Sequence, residues 1–235
     1  MATFETQLAM PQRIIVIPAY NEEKTVGDVV SAASKVADRV VVVDDGSRDR
    51  TSLLARQAGA VVVRHAINRG LGAALGTGIE VANRLNADAV VTMDADGQHR
   101  VEDAVRVFER LAQGDVDFVL GSRMKRGKES GNMPLHRVFF NFIGNLLTYV
   151  LFGVWVTDSQ SGLRGLSQKA LRTIELRTNG MEVSSEFIKE IRDHRWRFAE
   201  IPIKAIYTDY SLSKGQSFFV GVKTAFKLIY RRFIG

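Results

Sequence analysis

The strongest constraint on the fold of this chain is a rhythm. Short runs made almost wholly of Val and Ile alternate with longer stretches whose apolar residues recur every three or four positions. RIIVIP (13–18), RVVVVDDGS (39–47), AVVVRH (60–65), DAVVTMD (88–94) and VDFVLGSR (116–123) read as strands. Each apolar run is short, β-branched and closed by Pro, Gly or acidic residues. Between them, KTVGDVVSAASKVAD, RTSLLARQAG, GLGAALGTGIEVANRLN and VEDAVRVFERLAQG carry helical spacing, and two of these segments end on Gly, a common stop. A half-exposed strand would alternate apolar and polar residues. Unbroken Val runs instead predict a mainly parallel sheet buried by helices on both faces. After about residue 123 the rhythm changes.

The chain has 235 residues, 46% of them hydrophobic and 25% charged. That length predicts one domain, or one domain with an appendage. There is no Cys, which excludes disulfides, thiol catalysis and a zinc–thiolate site. The first dozen residues lack the charged start and apolar core of a signal peptide, so none is expected. A net charge of +6 favours an anionic partner. No nucleic-acid-binding motif accompanies that charge, so a nucleic acid is not the expected one.

In open α/β sheets, ligands gather beyond the carboxyl ends of the strands. Strand one ends in Pro18, Ala19, Tyr20, Asn21 and Glu22, strand two in Asp44, Asp45, Gly46 and Ser47. Strand four ends in Asp94, Ala95, Asp96, Gly97, Gln98 and His99, and strand five in Gly121, Ser122 and Arg123. Any one of these is an ordinary helix cap or turn. Four on one rim are harder to explain that way. Asp94 and Asp96 repel each other unless a cation lies between them, and Gln98 adds a carbonyl. That all-oxygen set suits Mg²⁺ or Mn²⁺, a metal that commonly bridges a diphosphate. Arg123, taken as lying on the neighbouring strand end, would share the negative charge, and Asp45 would accept from a base or ribose. The set predicts a pocket for a nucleoside diphosphate.

IPAYNEE, VVVDDGSRDRT, NRGLGAALGTGI, MDADGQH, GSR and DSQSGLRGL occur in that order from about Arg13 onward. Together they resemble the family 2 inverting glycosyltransferases of GT-A fold, and within them the dolichyl-phosphate mannose synthases and bacterial polyprenyl-phosphate glycosyltransferases. The resemblance implies a Rossmann-like catalytic domain over 13–210, preceded by a tail at 1–12. It places Pro18, Ala19, Tyr20, Asn21 and Glu22 in the first nucleotide-contacting loop and Asp45, beside Asp44, at the base. Asp94, Asp96 and Gln98 match the metal and diphosphate site, and Arg123 and Arg137 match residues that hold phosphates. Gly70 and Gly72 match a loop under the donor, where close helix–sheet packing would serve equally well. Ser161, Gly162 and Arg164 match a loop near the acceptor, and Asp158 matches loosely. The chain departs from the pattern near its end. YTDYSLSKGQSF has Asp209 and Tyr210 where the family carries a basic residue, and Lys214 is left to supply the charge.

The reaction so implied moves a hexose from a GDP- or UDP-sugar to a lipid phosphate. The acceptor oxygen is then already anionic, because the second pKa of a phosphate monoester is about 6, and no strong base is needed. A sugar hydroxyl would need a positioned carboxylate. Glu186 is a candidate, although a solvated helix carboxylate is the simpler expectation for it.

Two segments point to a membrane surface. No charge occurs from Val138 to Val156, yet Asn141, Asn145 and Thr148 recur on one stripe, so 134–156 is expected to be an interfacial helix or a core helix rather than a span. At 211–235, Phe219, Val222, Phe226, Ile229 and Phe233 oppose Lys223, Lys227 and Arg231, a membrane-associating amphipathic pattern, although a helix packing its Phe face on the sheet with its charges in solvent would show the same spacing. The expected location is the cytoplasm, peripheral at the cytoplasmic membrane face, with room for a separate membrane subunit. Two other functions stay open: transfer to a saccharide acceptor in cell-surface glycan synthesis, and a non-catalytic nucleotide-sugar-binding module.

Overall fold

A computed structural model describes residues 12–125, 135–204 and 206. The expected strands appear as β1 (Arg13–Ala19), β2 (Arg39–Asp44), β3 (Val61–Arg64), β4 (Ala89–Thr92) and β5 (Phe118–Ser122). Between them lie α1 (Val26–Ala33), α2 (Thr51–Gln57), α3 (Leu71–Arg84) and α4 (Val101–Ala112). The second half adds α5 (Leu135–Phe152), β6 (Arg164–Ser167), α6 (Gln168–Thr173), α7 (Val183–Asp193) and β7 (Phe198–Pro202).

All seven strands form one sheet in the order β3-β2-β1-β4-β6-β5-β7. Its pairings are parallel except those of β6, which runs antiparallel to both β4 and β5. This corrects one expectation. Arg123 does not follow a strand adjacent to that of Asp94, because β6 occupies the slot between them. β4 and β5 still point the same way, so both ends reach one rim.

The Val runs are explained by their two burdens. Ile14, Val16, Val41, Val43 and Val90 pack under α3, α6 and α7. Their alternates Ile15, Ile17, Val40, Val42, Val91 and Met93 pack under α1 and α4. Pro18 is tolerated in central β1 because the β1–β4 ladder stops at Val16↔Thr92, beyond which no partner needs its missing N–H. α3 approaches the sheet at Gly78, where a Cβ would lie 3.2 Å from Val43 Cγ2 and closer still to Val16.

Candidate functional site

The rim begins where the loops after β1 and β2 are sewn together. Asn21 adopts a left-handed φ of 54°, its N–H donates to Ser47 Oγ at 2.9 Å, and its Oδ1 accepts from Arg48 N at 2.9 Å. Glu22 N donates to Thr51 Oγ1 at 2.8 Å. Pro18 and Ala19 remain inside β1 with buried side chains, so the exposed part of this loop starts at Tyr20. A cavity of about 450 Å³ opens here, lined by Tyr20, Ser47, Arg48, Arg64, Ile67 and Asn68 among others. That volume lies in the range of small-ligand sites.

The two acids of the DDGS turn are both buried. Asp44 accepts from Ser47 N at 2.8 Å and from the Ser52 hydroxyl, and so shapes the turn. Asp45 accepts from Arg69 N at 2.9 Å and Gly70 N at 2.7 Å, and meets His65 Nδ1 at 2.7 Å. Its oxygens pin the entry of α3 as the structure stands. Gly70 has φ of 98° and, with Gly72, lies against the backbone of 178–179 rather than against the sheet; Gly72 N donates to Asn179 O at 2.9 Å.

The acidic turn follows β4. Asp94 is partly open, with a side chain 42% exposed, and its Oδ2 lies 3.1 Å from Nε2 of buried His99. Asp96 Oδ1 accepts from Gln98 N at 3.0 Å. Gly162 forms the floor: a Cβ there would stand 2.6 Å from the Asp94 carboxyl carbon. Burial, then the charge of Asp94, raises the Asp96 pKa above 3.8. Burial would raise Asp94 as well, but the His99 hydrogen bond and the charges of His99, Arg164 and Arg123 outweigh it and hold the carboxyl low. Asp94 is thus held ionised by its basic neighbours, while Asp96 answers first to burial and then to the Asp94 charge. The donors are hard oxygens and fit Mg²⁺ or Mn²⁺. Among the described residues no three His, Cys, Asp or Glu side chains gather as a metal cage. Oxygens of a bound diphosphate and water would complete such a shell.

Beside this turn lies a buried ionic cluster. Asp158, 0% exposed, accepts from Arg123 Nε at 2.7 Å, Nη2 at 2.8 Å and N at 3.0 Å, and from Asn141 Nδ2 at 2.8 Å. Burial would raise its pKa, but the Arg123 charge prevails and lowers it. Asp158, matched only loosely in the sequence, is thus the anchor of Arg123. Ser161 is buried in the turn that leads to Gly162. Arg164 does not lie in a loop as expected but on β6, 2% exposed. Glu186 is not solvated either. It is 6% exposed and accepts from Arg177 N at 2.8 Å and Thr178 N at 2.9 Å, so it braces the turn before α7.

α5 is turned inside out relative to an ordinary surface helix. Asn141, Asn145 and Thr148 face inward, bonded to Asp158, to Thr157 O and to Ser185. Phe142, Ile143, Leu146, Tyr149 and Val150 face outward, with Trp155 beyond the helix end. Among the described residues no helix is long and apolar enough to cross a membrane. The side chain of Arg137, and Lys214, Asp209, Tyr210 and all of 211–235, lie outside the described residues.

A mainly parallel Rossmann-like sheet with a DxD turn on its carboxyl rim is the architecture of the GT-A glycosyltransferases. The profile described as Glycosyl transferase family 2 matches residues 14–175, and the chain belongs to that family. It is 45% identical over 221 residues to an uncharacterized protein of Methanocaldococcus jannaschii, covering 93% of this chain and 91% of that one. It is 36% identical over 235 residues to the UDP-N-acetylglucosamine–dolichyl-phosphate N-acetylglucosaminyltransferase of Methanococcus voltae, covering 92% and 94%. Among solved structures, glucosyl-3-phosphoglycerate synthase of Mycobacterium tuberculosis, in complex with Mn²⁺, UDP and glucosyl-3-phosphoglycerate, superposes with a TM-score of 0.73 at 20% identity. That match covers 95% of this chain and 80% of the other and supports the fold. The protein is a glycosyltransferase.

Proposed function

We propose that the protein transfers a hexose from a nucleotide sugar, GDP- or UDP-linked, to a polyprenyl or dolichyl phosphate at the cytoplasmic membrane face. The observation that carries this reading is α5: one helix bonds the Asp158–Arg123 pair on its inner side and bares an uncharged apolar face on its outer side. An acceptor with an apolar tail and an anionic head needs both, side by side. The Methanococcus voltae relative, named for a dolichyl-phosphate acceptor, supports it. The described face at 139–150 would rest on the lipid surface, and the sequence of 211–235 adds cations suited to anionic headgroups.

In this mechanism Tyr20, Arg48 and Arg64 surround the nucleoside end of the donor. Asp94, Asp96 and Gln98 would hold Mg²⁺ or Mn²⁺, which supplies Lewis-acid stabilisation of the leaving diphosphate. Arg123, kept rigid by Asp158, faces the same developing charge. The lipid phosphate oxygen attacks the anomeric carbon from the face opposite the diphosphate. The new C–O bond forms as the old one breaks, the nucleoside diphosphate departs, and the configuration inverts. No side chain needs to remove a proton. Transfer to a saccharide hydroxyl would require a free carboxylate, and Glu186 is committed to its turn.

The test is to supply the full chain with vesicles containing polyprenyl phosphate, free saccharide acceptors, a panel of radiolabelled GDP- and UDP-sugars, and Mn²⁺ or Mg²⁺. A lipid-extractable, acid-labile glycosyl phosphate is expected with one donor. Product only on free saccharides would overturn the acceptor assignment.

A further inference from the structure

Arg164 is a charge whose position structural stability alone does not explain. Its Cα lies opposite Thr92 of β4 and Leu120 of β5, one strand from each of the two ends that carry Asp94 and Arg123. The side chain is 2% exposed. Nη2 donates to Ser184 Oγ at 2.9 Å, and the guanidinium lies 4.7 Å from the centre of the Phe187 ring. Nε is buried with no partner at all. Burying a guanidinium on one neutral hydrogen bond and one ring is costly, and an apolar side chain of equal volume would suit the same space. Burial depresses its pKa to about 10, and the attractions that oppose this come from Asp94 and then Asp158. Those are the acid of the DxD turn and the anchor of Arg123.

We propose that Arg164 is a positioning residue of the donor site, a fixed buried cation that acts through Asp94 and Asp158 and sets the balance of charge the rim offers to a metal and to a diphosphate. This rests on the donor-site reading above. Without Arg164, the acids would hold a free divalent cation too strongly and repel a free diphosphate. With it, the site favours the two ligands together over either one alone. The unpaired Nε belongs to this role: a guanidinium closed into a direct ion pair would project little field toward the rim.

Loss of the Arg164 charge should move metal and nucleotide affinities in opposite directions, which loss of a merely structural residue would not. Arg164→Met keeps the volume and removes the charge. Two unit charges about 10 Å apart, at an effective dielectric of about 20, interact by enough to change an affinity roughly tenfold. Full-length Arg164→Met is therefore expected to bind Mn²⁺ alone about tenfold tighter, read by the free-Mn²⁺ signal in electron paramagnetic resonance. It is expected to bind UDP and GDP in chelator about tenfold more weakly, read by calorimetry. Arg164→Lys should stay within about twofold of wild type for both probes, and Arg164→Met should unfold no earlier than wild type. Arg164→Gln repeats the comparison in a polar isostere. Affinities that move in the same direction, or do not move, in both neutral variants would overturn the inference while leaving the donor site intact. A wild-type chain that binds neither Mn²⁺ nor either nucleotide would overturn the donor-site reading, and this inference with it.

Discussion

Replacing Asp158 with Asn should remove a large share of the stability of the rim. The substitution preserves shape and deletes one charge. Three hydrogen bonds from Arg123 and one from Asn141 converge on the carboxylate, at 2.7–3.0 Å. An amide offers one acceptor and turns its NH₂ toward the remaining donors. Breaking a buried ion pair from one side costs about 3–5 kcal/mol. The Arg123 side chain is 20% exposed, so water recovers part of that, and the low end, about 3 kcal/mol, is expected. A chain of this size loses about 2–4 °C of Tm per kcal/mol, which gives a drop of roughly 6–12 °C. The pH dependence follows from the sign of the shift. The folded pKa of Asp158 lies below 3.8, so its contribution is present above that value and is lost as pH falls from there through the depressed one. The wild-type–variant gap should therefore stay flat from pH 7 to pH 5 in urea or thermal unfolding. A loss under about 1 kcal/mol at pH 7, or a gap that narrows already between pH 7 and 5, would refute the account of a buried, strongly ionised anchor.

Three further outcomes are expected. In Gly162→Ala the new methyl stands where the Asp94 carboxylate now lies, so Mn²⁺-dependent UDP or GDP binding should fall at least tenfold while the fold loses only about 1–3 kcal/mol, checked by calorimetry beside urea unfolding. The pKa of Asp96 is raised by burial and by Asp94, so the metal-free chain should gain stability as pH falls through that raised value, and saturating Mn²⁺ should bind less tightly over the same range. Thermal melts against pH in chelator should show this gain, and Asp96→Asn should abolish it. Val150→Glu, at a position 71% exposed on the outer face of α5, should leave Tm within about 2 °C but weaken co-sedimentation with anionic vesicles severalfold; unaltered sedimentation would rule out that face as the lipid contact.

The first half of the chain is legible because its signals are local. Val runs, glycine stops and acids past strand ends each follow from a few neighbouring residues, and these sufficed to place β1 to β5, the rim and the DxD turn. Arg123 was legible as a cation past the end of β5, but not its separation from the strand of Asp94, because β6 enters between β4 and β5 from about 40 residues further along the chain. The meaning of α5 was half visible. Its polar stripe could be counted, yet only the packed structure turned Asn141, Asn145 and Thr148 inward onto Asp158 and Thr157 and left the apolar side bare. Glu186 and Arg164 show why the rest was hidden. A carboxylate on a helix and a guanidinium on a strand read as solvated or ligand-facing until burial is known. Burial is set by what folds over a residue from elsewhere: the turn at 177–178 for Glu186, and Phe187 and Ser184 for Arg164. Periodicity and strand-end chemistry, which sequence records directly, determined five of the seven strands and the acidic rim, while β6 and β7 carried no such signal. The pairing and desolvation of charges depend on long-range contacts, and those only the tertiary structure decided.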